Sequence, residues 1–123
     1  MTHYLARRLM FVSLLVLLGA CAAAPMAPEP RAFVLPVERQ AALAAGIEVL
    51  AERGYVIRHA DVELGRADAV SAVWPGYRLR LDVEESPHGA LISFSGQRGN
   101  RPLAPESLDR LLVELQAALG LAP

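Results

Sequence analysis

The chain has 123 residues, of which 54% are hydrophobic, with 12 basic side chains against 13 acidic ones and a pI near 6.3. That length holds one small domain at most. The charge balance excludes a dedicated nucleic-acid binder, whose pI would normally exceed about 9, and the single cysteine, Cys21, excludes an intrachain disulfide.

Mean hydropathy is +0.31 although 20% of the residues are charged, so the apolar excess is concentrated locally. It lies at the start: fourteen of the first twenty residues are hydrophobic. A positive stretch with Arg7 and Arg8 precedes the apolar run Leu9 to Leu18, and small residues Gly19 and Ala20 lead to Cys21. This is the three-part layout of an export signal, with an apolar run well short of the roughly 20 residues that span a bilayer. Leu18-Gly19-Ala20-Cys21 resembles the lipobox of bacterial lipoprotein precursors: an aliphatic residue, two small ones, then cysteine. The resemblance implies cleavage between Ala20 and Cys21, a diacylglycerol on the Cys21 sulfur and acylation, palmitate included, of the new amine. Membrane lipid is then the first partner, through the acylated Cys21. Each buried methylene adds about 0.8 kcal/mol, so two or three chains anchor far more firmly than one. Ala22 in place of aspartate favours the outer membrane over the inner, with the domain facing the periplasm. The competing readings are an uncleaved N-terminal anchor and a cleaved signal that leaves a free thiol.

Residues 21–36 follow as a lipidated cysteine and an Ala/Pro-rich tether, with prolines at 25, 28, 30 and 36. Fifteen extended residues would hold a domain up to roughly 45 Å from the acyl groups. Residues 37–123 then form one small domain, preceded by the signal at 1–20.

Within it, Val37 to Arg53 reads as a helix with Leu43, Ile47 and Leu50 on its apolar stripe, backed by Ala44 and Ala51. Pro36 can open it and Gly54 can close it in a left-handed cap. Pro105 to Leu119 reads as a second helix, with Leu108, Leu111, Leu112, Leu115 and Leu119 on one face. Four strands are expected between them: Tyr55 to Ala60, Ala67 to Trp74, Tyr77 to Glu85 and Gly89 to Gly96. The third alternates cleanly, Tyr77, Leu79, Leu81 and Val83 against Arg78, Arg80, Asp82 and Glu84. A loop at Ser86-Pro87-His88-Gly89 sets Glu85 opposite Ala90, Val83 opposite Ile92 and Leu81 opposite Phe94. A tight Pro75-Gly76 turn sets Trp74 opposite Tyr77 and puts Val70, Ala72 and Trp74 on the dry face. In the first strand Tyr55 and Ile57 are placed inward and Arg58 outward, with Gly65 as the sharp point of the next turn. The expectation is an α+β fold, a four-stranded antiparallel meander with an N-terminal and a C-terminal helix on one face, in the order α-β-β-β-β-α.

These registers predict open-face rows of Val73, Arg78 and Gln97; Ser71, Arg80 and Ser95; and Ala69, Asp82 and Ser93. Arg78, Arg80, Ser71, Ser95 and Asp82 are the candidate binding residues, because guanidinium groups offer fixed bidentate donors to an anionic or peptide ligand. The alternative is an ordinary solvated face, and an edge strand offers a third surface, by strand addition.

Catalytic patterns are poor. The domain's histidines, His59 and His88, lie far apart with no cysteine or HxxxH spacing beside them, so no metal or other cofactor is expected. Ser93-Phe94-Ser95-Gly96 lacks the leading glycine of a nucleophile elbow, and Gly96-Gln97-Arg98-Gly99-Asn100-Arg101 lacks a phosphate loop's lysine. Glu84 and Glu85 point to opposite strand faces. Gly54-Tyr55-Val56, Asp61 and Gly65-Arg66-Ala67 resemble the helix-then-GYxV opening of small bacterial envelope lipoproteins, including the helix-grip-like domains of an outer-membrane protein assembly accessory lipoprotein. That resemblance implies a non-catalytic binding or assembly role, with an envelope protein as a possible partner and no nucleic acid. The alternative is a small envelope enzyme or metal-handling protein using His59 and Asp61.

Overall fold

In the computed structural model, residues 2–19, 27–72 and 76–121 are described. The chain is α+β, with an antiparallel sheet of six strands rather than four. Helix α1 (Thr2–Gly19) covers the apolar segment, and its apolar side chains from Tyr4 to Val12 are exposed. Among the described residues no helix is long and apolar enough to cross a membrane. Cys21 and Ala20 lie outside the described residues.

The sheet comprises β1 (Arg31–Leu35), β2 (Tyr55–Asp61), β3 (Arg66–Ser71), β4 (Tyr77–Ser86), β5 (Gly89–Arg98) and the two-residue β6 (Arg101–Pro102). Its order is β1-β5-β4-β3-β2, with β6 also paired to β5. β4 holds one edge of β5, so β1 (opposite Ala90 to Phe94) and β6 (opposite Gln97 and Arg98) share the other. The first of these extra strands corrects the tether: residues 31–35 are not a spacer but an edge strand. Leu35 is buried opposite Ala90, and Arg31 donates from Nε to Asp109 Oδ1 at 2.7 Å.

Helix α2 (Arg39–Glu52) and helix α3 (Asp109–Ala118) lie on one face of the sheet, as half-buried antiparallel sheets require. The buried stripe of α2 is Ala42, Leu43, Gly46, Val49 and Leu50. Ile47 is only partly covered, and Ala44 and Ala51 face outward. The stripe is turned from the expected one because Gly46 lets the helix approach β4, where a Cβ would overlap the Leu81 side chain. A 3-10 turn, Pro105–Leu108, leads into α3, and Leu108, Leu111, Leu112 and Leu115 are buried as expected. Beneath them Leu81, Ile92 and Phe94 are fully buried; burial of each such side chain contributes about 1.5–3 kcal/mol.

The β4–β5 register is the expected one, with Leu81 opposite Phe94, Val83 opposite Ile92 and Glu85 opposite Ala90. The β3–β4 register is not. Val70 pairs with Arg78, Ala69 with Leu79, Asp68 with Arg80 and Arg66 with Asp82. The slip is three residues from the tight Pro75-Gly76 turn, and an odd slip exchanges the two faces of a strand. Ala67 and Ala69 are therefore the buried pair, and Val70 stands on the open face. The ionic side chains account for this choice: the slip gives Asp68 and Arg66 partners of opposite charge while keeping both out of the core. Val73, Trp74 and Pro75, and with them the expected inward Trp74, lie outside the described residues.

On β2, Tyr55 and Ile57 pack against the core as expected. A bulge between Ile57 and His59 leaves Arg58 without a cross-strand partner. Gly65, at φ 68°, is the sharp point of the turn to β3, and its carbonyl accepts the Val83 amide at 2.7 Å.

Candidate functional site

The face of the sheet away from the helices is open. Across part of it runs the segment 27–30, and between the two is a cleft of about 790 Å³. Ala27, Pro28 and Pro30 supply one wall; Val70, Arg78, Gln97 and Ser95 are on the floor, with Arg58 on the β2 side. Proline's fixed φ favours an extended course there and removes backbone donors.

Arg78, Arg80, Asp82 and Ser95, four of the five expected binding residues, line this cleft. The three-residue slip replaces Ser71 by Asp68 opposite Arg80 and Ser95. Ser71 projects to the side of buried Ala67 and Ala69, and its Oγ accepts the Tyr77 amide at 2.8 Å. It is a loop-closing residue and does not belong to the open face.

Charge divides the site in two. Arg80 Nε donates to Asp68 Oδ1 at 2.8 Å, and Arg66 Nε donates to Asp82 Oδ1 at 2.8 Å. The Asp82 carboxylate raises the Arg66 guanidinium above its ordinary value, chiefly through that hydrogen bond. At the other end, among the described residues, neither Arg58 nor Arg78 has a carboxylate within ion-pair distance; Arg78 donates one bond, 3.3 Å, to the Gly99 carbonyl. Arg80 on the cleft and Arg66 beside it are thus each held by a carboxylate, while Arg58 and Arg78 keep guanidinium donors that no carboxylate among the described residues takes up.

Arg58, left unpaired at the bulge, lines this cleft; an outward Arg58 was expected, its place on the same cleft as Arg78 was not. The bulge moves His59 out of the inward set, opposite Asp68. His59 and Asp61 thus share the open face, but Asp61 Oδ1 accepts the Leu64 amide at 3.0 Å and serves the turn. His88 is exposed in the β4–β5 turn. Among the described residues no three of His, Cys, Asp and Glu converge as metal ligands would.

Arg39 is a structural residue that sequence reasoning missed. From the first turn of α2 it donates to the Val83 carbonyl at 3.2 Å, the Val62 carbonyl at 3.3 Å and the Glu63 carbonyl, tying the helix start to the β2–β3 turn. No motif marks such a contact, because its acceptors are backbone groups. Tested against protein-family models and curated proteins, the chain matches none.

Proposed function

We propose that the chain is a bacterial envelope lipoprotein, anchored through acylated Cys21, whose domain binds or scaffolds another envelope component without catalysing a reaction. The observation that carries the binding reading is the cleft on the open face, which places Arg58 and Arg78 beside an apolar wall. Its volume lies in the roughly 300–1,000 Å³ range of ligand sites. Tethering supports such a role, since confinement at a membrane raises the effective concentration of a modest surface. Localisation to the periplasmic side of a membrane, the outer one in preference, follows from the lipobox reading.

Two experiments test the two halves of this reading. Cys21→Ala is expected to abolish incorporation of labelled palmitate; retained label overturns the anchor. A photo-crosslinking residue at Gln97, on the cleft floor, is expected to give a specific adduct in living cells, whereas one at Glu48, exposed on α2, gives none. Absence of an adduct at Gln97, or the same adducts at both positions, overturns the binding face.

A further inference from the structure

The cleft carries enough chemistry to name its ligand. Arg58 and Arg78 stand on strands either side of β3, and neighbouring strands are about 4.8 Å apart. Their backbones therefore lie about 10 Å apart, within reach of two long side chains closing on one group. Arg80 and Arg66 are taken up by Asp68 and Asp82, so the donors left over favour an anion with several acceptor oxygens. An inorganic anion would have no use for the rest of the site. Val70 and the half-exposed Val56 pair across β2 and β3, and Ala27, Pro28 and Pro30 face the floor. The site is built for an anionic group on an apolar carrier.

Position supplies the second observation. Ala27, on the cleft wall, is six residues from Cys21, a covalent reach of about 20 Å at most, against the roughly 45 Å of a tether running to residue 36. With residues 1–20 removed the chain keeps 10 arginines against 13 acids, a net charge an acidic membrane repels, so approach depends on the end of the open face where Arg58 and Arg78 have no carboxylate partner among the described residues. Resting on the reading of Cys21 as the acylated anchor, we propose that the cleft holds the phosphate headgroup of an anionic phospholipid in the membrane that carries that anchor. The domain would then lie with its open face towards the bilayer instead of hanging free of it.

The test uses residues 21–123 with Cys21→Ser, so that no acyl group contributes, and vesicles of phosphatidylcholine alone or mixed equally with phosphatidylglycerol. Cosedimentation is expected only with the mixed vesicles and is expected to weaken as salt is raised. Arg58→Gln and Arg78→Gln are each expected to lower partitioning about fivefold, and the double variant roughly 25-fold. Arg110→Gln, on exposed α3 surface, is expected to leave it unchanged, and circular dichroism with the thermal midpoint checks that each variant folds. Equal partitioning into both vesicle types, or an equal loss in Arg110→Gln, overturns the proposal. So does binding of soluble glycerol 3-phosphate by a folded chain that ignores the vesicles. A folded chain indifferent to both phosphate and vesicles overturns it as well and leaves a protein partner for the cleft. None of these results touches the anchor, which palmitate labelling tests separately.

Discussion

Gly89→Ala probes the strand that the sequence does not announce. Gly89 opens β5 at φ 130°, and a Cβ there would overlap the Leu35 carbonyl oxygen and come within 3.0 Å of Pro36 Cα. The chain has two ways to respond. If it keeps its register, a side chain in that backbone region costs about 1–3 kcal/mol. If β1 yields instead, Leu35, now 5% exposed, loses burial that contributes about 1.5–3 kcal/mol. Either route removes about 2 kcal/mol at mid-range, and in a domain of this size each kcal/mol moves the midpoint by about 4–8 °C. A fall of about 8–16 °C is therefore expected in thermal unfolding followed by circular dichroism. Gly99→Ala supplies the comparison, since Gly99 has φ 59° with nothing within 4 Å of its added Cβ. Only the backbone penalty of about 1 kcal/mol applies there. Equal losses in the two variants would refute the placement of β1 against the β4–β5 turn.

A double-mutant cycle on Asp68 and Arg80, read by urea unfolding, is expected to show coupling of about 0.2–1 kcal/mol, the range of exposed pairs; coupling of that size between Ser71 and Arg80 instead would restore the register that sets those two opposite each other. Arg53 donates from Nε to Glu114 Oε2 at 2.6 Å and holds the Glu114 carboxyl below its ordinary value through that hydrogen bond. A depressed folded pKa means stability that is present above the unfolded value, about 4.3, and lost as pH falls through the folded one. Glu114→Gln is therefore expected to unfold at lower urea than the parent near pH 7 and to converge with it in acid. The gap is small, because Glu114 is 39% exposed; a gap unchanged down to acid pH would show that the ion pair is not its cause.

The legible parts of this fold are those where two independent signals coincide. In β4 and β5 strict alternation and a short loop both demand Leu81 beside Phe94, and that pairing holds. From the 3-10 turn through the end of α3, five leucines at helical spacing, Leu108 to Leu119, leave little choice of face, and four of them are buried. In β3 and the residue after it the apolar side chains occupy both phases of the alternation, Ala67 and Ala69 on one and Val70 and Ala72 on the other, so hydrophobicity alone does not fix the face. The deciding residues are Arg66 and Asp68, which must stay wet, and weighing them above the larger Val70 would have given the observed register. The strand β1 stayed hidden among prolines, since RAFVL has no alternation and its partner lies in the last hairpin. Of the open-face cleft, the Arg78, Arg80, Asp82 and Ser95 side followed from β4 and β5. Arg58 was legible as outward but not as part of the cleft, and the wall at 27–30 depended on the course of a segment that composition marks only as extended.

The position of β1 also orders events in time. It is the first strand of the domain to be made, yet among the described residues its one partner strand is β5, and its Arg31 bonds to Asp109 across 78 residues. Closing a loop of that length precedes any return from the contacts it allows. The hairpin of β4 and β5 must therefore exist before β1 has an edge to join, so this strand docks late. Until it docks, the segment 27–30 that leads into it is not held across the open face.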